Sequence, residues 1–290
     1  MLKQEVKGVY IMRQVLKSKL KNEALSLVTD VTYAQVRHWF DSSYRDLKMS
    51  LIFPKQVEAH KELPVIVWLC GGAFVSMDRN VWLPQLTNLA QRGFVIASPE
   101  YRTSSDVSYP TSLQDVKSAI RYLRARAENY CIDSKRVYIM GESAGGTLAI
   151  LASVTNGDNQ YDVGEYLGNS SDVQGVVDFY GLSDLRDIAG GAETSTLPGN
   201  LMNRCLNFFG ENVEQASAVC HVDNSTPPTL IFHGSVDDVV IPDHSEKYYR
   251  KLQEAGVHSD LYILEGAGHG DALFYQDHIY DIIETFLKEI

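Results

Sequence analysis

Residues 137–154 read VYIMGESAGGTLAILASV, a stretch that leaves the chain little choice about its local path. A short apolar run of strand character ends at Met140. Glycines at Gly141, Gly145 and Gly146 then surround Ser143, and an apolar run of helical character starts at once. Glycines two residues either side of Ser143 permit a sharp strand-to-helix reversal, because a Cβ at either place would collide with neighbouring backbone. Such a turn lifts the serine oxygen clear of the strand ends. It also leaves the Ala144 N–H close by, at the start of a helix, where partial positive charge gathers.

The same alternation of strand and helix recurs along the chain. Apolar runs at Val65–Leu69, Phe94–Ser98, Val137–Met140, Val176–Tyr180, Leu230–Phe232 and Leu261–Leu264 read as strands buried on both faces. Helical stretches are expected between them, around Val81–Gln91, Ser112–Tyr130, Gly145–Val154, Asp243–Gln253 and Ala272–Lys288. Val28–Tyr33 and Leu47–Phe53 precede them as antiparallel edge strands, with Leu47, Met49 and Leu51 alternating with more polar neighbours. The expected fold is α/β, a mostly parallel, doubly wound sheet with helices on both faces. At 290 residues and 44% hydrophobic content, one domain over residues 1–290 accounts for the whole pattern. Val6, Val9, Leu16 and Leu20 recur at helical spacing, so residues 1–27 are expected as a helical extension, a candidate arm for a homo-oligomer. The connection from Tyr180 to Leu230 is too long for a simple link, and residues 183–222 within it are expected to form a small cap.

Composition narrows the class of partner. The formal net charge of -11 argues against nucleic acid and anionic membrane surfaces. No apolar run reaches the roughly 18 to 20 residues needed to span a bilayer. The first twenty residues lack the apolar core and cleavage site of a signal peptide, so a cytoplasmic location is expected. Cys70, Cys131, Cys205 and Cys220 form no CxxC pair and are expected as free thiols rather than metal ligands.

Further along, two more segments complete a chemical pattern around Ser143. His269 lies among Gly266, Gly268 and Gly270 just past a predicted strand, where an imidazole can swing beside a serine. The segment HGSVDDVVIP follows another strand and supplies two carboxylates, Asp237 and Asp238; either can orient a histidine, and only one can point inward. His233, at the strand end itself, reads as structural. Upstream, VIVWLCGGAF ends a strand in Gly71, Gly72 and Ala73, small residues that let backbone N–H groups approach a bound molecule. Gly72, Ala73 and Ala144 are the candidate donors of an oxyanion hole, with Gly71 shaping the turn. Serine, acid and histidine then stand in an order that suits acyl transfer through a serine nucleophile.

These segments together, WLCGGAF, PEYRTSSDVSYPTSLQDVKSAIRYLRARA, IDSKRVYIMGESAGGTLA, PPTLIFHGSVDDVVIP and GAGHGD, resemble the α/β-hydrolases of the hormone-sensitive-lipase-like and carbohydrate-esterase-like group. Within that group the likeness is greatest to gut-bacterial acetyl and feruloyl esterases, and it spans roughly residues 45 to 288. The resemblance implies a serine carboxylesterase with Ser143, Asp237 and His269 as its triad, no cofactor, and a small-molecule or carbohydrate ester as substrate. It favours Asp237 because the family acid stands four residues after the strand-end histidine. The following proline, Pro242, comes one residue late, which keeps Asp238 as the alternative. Relatives often carry His-Gly-Gly-Gly where this chain has Cys70-Gly71-Gly72-Ala73, a change that backbone donors tolerate. Other activities on the same triad, an arylformamidase or a peptidase, and a non-catalytic ligand-binding relative are the competing readings. Trp68, Trp82, Phe74, Tyr109, Phe208 and Phe209 are candidates either for a substrate pocket or for the core.

Overall fold

Near-continuous runs of Val, Ile and Leu have nowhere to go but between two layers, and the chain places them there. A computed structural model describes residues 3–6, 9–12, 15–19, 23–38, 40–55, 62–189 and 199–290. The strands are β1 Lys3–Val6, β2 Val9–Met12, β3 Leu25–His38, β4 Ser43–Pro54, β5 Leu63–Leu69, β6 Val95–Pro99, β7 Ile132–Glu142, β8 Gly175–Phe179, β9 Thr229–Gly234 and β10 Ser259–Leu264. The helices are α1 Leu83–Gln91, α2 Thr111–Ala125, α3 Ala144–Val154, α4 Leu185–Ala189, α5 Gly199–Phe209, α6 Asp243–Glu254 and α7 Asp277–Glu289. Eight strands form one sheet in the order β3-β4-β6-β5-β7-β8-β9-β10. β6 to β10 run parallel with β5, while β3 and β4 make the antiparallel edge.

Side-chain alternation sorts the core into two layers. Val65, Val67, Leu69, Val137 and Ile139 face α2, α3 and α6, meeting Leu113, Ile120, Leu148, Leu151, Tyr248 and Leu252. Their neighbours Ile66, Trp68, Tyr138 and Met140 point the other way, onto Leu86 and Leu89 of α1 and Ile279 and Ile283 of α7. Period-two alternation on a pleated strand produces this division without further instruction. α3 is buried along nearly its whole length, which explains why its sequence lacks a polar face. Two buried cations of α2 close the loop that follows α3. Lys117 donates to the Thr155 carbonyl at 2.8 Å, and Arg121 reaches Asp162 and the Glu165 carbonyl.

The order of the strands reverses at β5. The chain leaves β5 for β6 on one side and later returns to place β7 on the other. In open α/β sheets the crevice at the carboxyl ends of two such strands is where ligands bind. Here it receives Cys70–Ala73 from β5 and Ser143 from β7.

One expectation is corrected. The N-terminal extension of residues 1–27 is not a helix where it is described: β1 and β2 pair antiparallel, with Val6 opposite Val9. A three-residue spacing places two residues opposite each other across a hairpin as well as on one side of a helix, and the Val, Tyr and Ile residues of this segment favour strands. Residues 15–19 follow without regular structure, Val15 and Leu16 being 84% and 76% exposed. In the expected cap, α4 and α5 are helical, while residues 190–198 lie outside the described residues.

The depth of α3 makes it the sensitive point of the fold. Leu148→Ala, at a fully buried position, is expected to lower stability by roughly 2–5 kcal/mol in denaturant unfolding.

Candidate active site

Close backbone packing shapes the turn after β7. Ser143 sits between strand and helix with φ of 54°, a conformation that non-glycine residues seldom adopt, and its N–H donates to the Phe179 carbonyl of β8 at 2.9 Å. The two flanking glycines are sterically required. A Cβ at Gly141 would stand 2.3 Å from the Gly145 carbonyl oxygen, and one at Gly145 would stand 2.0 Å from that of Leu69. The contact with Leu69 shows how closely the turn rides on the end of β5.

Two loops from the far side of the sheet meet the serine. His269, beyond β10, places Nε2 2.9 Å from Ser143 Oγ and Nδ1 2.8 Å from Asp237 Oδ2. Asp237, beyond β9, is buried, whereas Asp238 is exposed, so Asp237 is the carboxylate facing the histidine. Its Oδ1 accepts the amides of Val239 and Val240 at 2.9 and 3.0 Å. Burial opposes charge on Asp237. The hydrogen bonds from His233, His269 and the Val240 amide outweigh that effect and hold its carboxyl well below the usual carboxylate range. An ionised carboxylate only accepts, so Nδ1 of His269 donates to it and Nε2 is left to accept the Ser143 hydroxyl proton. His233 is fully buried between Ser245 Oγ and the Val240 carbonyl and props the same turn.

The loop after β5 supplies the other wall. Gly72 has φ of 132° and a Cβ there would fall 1.8 Å from the Ser76 carbonyl oxygen, so only glycine fits. Its carbonyl accepts from Val75 and Ser76, closing a turn over Ala73 and Phe74. Gly72, Ala73, Ala144, Ser143 and His269 line one cleft of about 400 Å³, completed mainly by Phe74, Val75, Leu182, Cys205, Val239 and Val240. Gly71 stands apart from the expected donors: its N–H is taken by the Glu142 carboxylate. Of the six candidate aromatic residues, Phe74 alone lines this cleft. Behind it, Phe208 of α5 stacks at 5.4 Å and Phe209 meets it edge-on at 4.9 Å, Tyr109 packs on Phe209, and Trp68 lies in the core. Trp82 stacks on Tyr275 at 4.5 Å. All four cysteines are free, and burial together with the nearby Glu142 carboxylate pushes the Cys70 thiol up to about 12, which suits packing rather than nucleophilic attack.

Three residues at the site carry no motif signal of their own. Tyr180 sets its ring 4.7 Å from the His269 imidazole. Glu142 occupies the variable place before the serine and is buried. Asp178 of β8 lies under the turn, accepting from the Gly181 amide at 3.1 Å. A Cβ at Gly146 or Gly181 would crowd its Oδ1 at 2.4 or 2.6 Å. The closeness of Gly146 and Gly181 to Asp178 offers a hint that only the folded chain makes readable.

Residues 49–252 match the family model BD-FAE, and the chain belongs to that family of α/β-hydrolases. Esterase LipC of Mycobacterium tuberculosis is 31% identical over 215 residues, 72% of this chain and 53% of that protein. The chain thus spans about half the length of the curated relatives it matches. Among solved structures, a truncated form of a carbohydrate esterase from gut microbiota superposes with a TM-score of 0.77 at 26% identity, covering 94% of this chain and 99% of that one. Esterase 2 of Thermogutta terrifontis with bound propionate gives 0.74 at 25%, covering 93% and 94%. Among the described residues no helix is long and apolar enough to cross a membrane.

Burial pushes the Asp178 carboxyl up to about 7 from 3.8, against the pull of His233 and the Gly181 amide. A raised carboxyl binds its proton more tightly in the folded chain. Its stabilising contribution is therefore full below pH 3.8 and is lost as pH rises through about 7. Asp178→Asn keeps an acceptor for Gly181 and removes this dependence. Thermal melts from pH 4 to pH 8 are expected to show the variant gaining on the parent as pH rises.

Proposed function

We propose that the protein is a serine carboxylesterase that cleaves its substrate through an acyl-enzyme. The observation that carries the reading is the unbroken line from Asp237 through His269 to Ser143, with bonds of 2.8 and 2.9 Å. His269 Nε2 takes the hydroxyl proton as Ser143 Oγ bonds to the ester carbonyl carbon. The carbonyl oxygen becomes an oxyanion, stabilised by the amides of Gly72, Ala73 and Ala144, none of which has another acceptor among the described residues. When the tetrahedral adduct collapses, His269 returns the proton to the departing alkoxide. Water then attacks the acyl-enzyme by the same route and restores the free serine.

The substrate assigned to the site is an ester of a short-chain or aromatic acid, of acetyl or feruloyl type, with plant polysaccharide side groups among the candidate alcohols. A cleft of about 400 Å³ walled by Phe74, Val75, Leu182 and Val240 suits an uncharged, largely apolar acyl group. The names of the relatives support ester chemistry, and one structural neighbour is a carbohydrate esterase.

Ser143→Ala is expected to lower hydrolysis of p-nitrophenyl acetate by roughly 10⁴-fold or more, read as the rate of nitrophenolate release. Retention of activity within tenfold would reject the assignment. A panel of acetyl, butyryl, octanoyl and feruloyl esters, with formamides and dipeptides beside them, then ranks the acyl groups.

A further inference from the structure

Glu142 is a carboxylate in an awkward place. It is 7% exposed, it directly precedes Ser143, and it lines the same cleft as Gly72, Ala73 and Ala144. Burying a carboxylate is costly unless hydrogen bonds or a cation compensate. The described partners of Glu142 include no lysine or arginine. They are the Gly71 amide, the Trp82 indole N–H at 3.2 Å and the Cys70 thiol at 3.8 Å, and all three converge on Oε1.

Two of those partners belong to the loop that carries Gly72 and Ala73. Leu69 pairs with Gly141 across β5 and β7, so the residues that follow these two come side by side at the carboxyl ends. A Cβ on Gly71 would lie 2.6 Å from Glu142 Oε1, so glycine is what allows the loop to come this close. On the other side, the Tyr101 hydroxyl donates to the Cys70 carbonyl at 2.5 Å. The peptide between Cys70 and Gly71 is thus held at both of its polar ends. Fixing that plane fixes where the following amides start.

We infer that Glu142 is a positioning residue: its carboxylate anchors the Gly71 amide and so aims the Gly72 and Ala73 N–H groups at the oxygen that becomes the oxyanion. This rests on the esterase reading above. An anchor of this kind acts on the transition state more than on the bound ester, because the amides contribute most when the oxygen carries full charge. Trp82, braced on Tyr275, donates to the same Oε1 from outside the loop.

The test compares Glu142→Ala with Glu142→Gln in the full chain, with rates divided by the active-site concentration from burst titration. The ester is p-nitrophenyl acetate. The transition-state mimic is an alkyl trifluoromethyl ketone, whose carbonyl carbon bonds Ser143 Oγ while the hydroxyl proton passes to His269 and the ketone oxygen becomes the oxyanion. Glu142→Ala is expected to lower kcat by roughly a hundredfold with KM within about threefold, and to raise the ketone inhibition constant by the same factor that kcat/KM falls. Glu142→Gln, which retains an acceptor oxygen, is expected to recover kcat to within about tenfold of the parent. The inference is overturned if Glu142→Ala keeps kcat within about threefold, if kcat falls while ketone affinity is unchanged, or if Gln is no better than Ala. Should Glu142→Ala fail to fold, Trp82→Phe carries the test. A matched loss of kcat and ketone affinity supports the inference, and unchanged values of both overturn it. Activity surviving Ser143→Ala would instead remove the esterase reading, so the two failures are distinguishable.

Discussion

The rest of the site depends on how closely the turn after β7 packs against the end of β5. Gly145 lies against the Leu69 and Cys70 carbonyls at a distance no side chain would allow. Because β5 and β7 are neighbours at the point where strand order reverses, their carboxyl ends open onto one crevice. The serine from one strand and the small-residue loop from the other therefore face each other across a few ångströms of backbone. An added methyl at Gly145 would force them apart, while one at Gly141 or Gly72 would distort the serine turn or the small-residue loop from within.

Around that contact the chain buries three carboxyl groups, and each is managed differently. Asp237 is held charged by two histidines and backbone amides, and it orients His269. Asp178, deeper and with fewer donors, is driven toward its protonated form. Glu142 gathers three donors on a single oxygen. One functional group thus appears as an anion bonded to His269, as a group driven toward protonation, and as an acceptor for the loop after β5. For Asp237 and Asp178, donor count and burial set opposite directions of shift, as expected when environment governs ionisation.

The segment between β8 and β9 joins this arrangement through aromatic contacts. α5 lays Phe208 and Phe209 against Phe74, the residue that follows the small-residue loop, and Cys205 reaches the cleft. The backbone adds a further tie, from the Tyr109 amide to the Phe208 carbonyl at 2.9 Å. Loop and helical segment share one wall, so a change in either alters the cleft.

Much of this was legible in the residues. All eight strands of the main sheet follow from apolar periodicity, and the inner ones do so because strands buried on both faces admit few polar residues. The apolar run of β10 reads as buried on both faces too, but β10 is the edge of the sheet and leaves Tyr262 and Ile263 exposed. Ser143, His269 and Gly72 stand out because glycines mark turns whose conformation side chains forbid. The sequence alone left Asp237 and Asp238 undecided, since adjacent residues have the same local chemistry and only folding buries one and exposes the other. It misled at the N-terminus, where Val6 and Val9 are partners across strands rather than along a helix. Glu142, Tyr180 and Asp178 gave no local signal, because what each does depends on groups far away in the chain. In sum, local sequence determined strand, turn and helix, whose rules act over a few residues; tertiary structure decided which carboxylate faces which donor, because burial and approach belong to the folded whole.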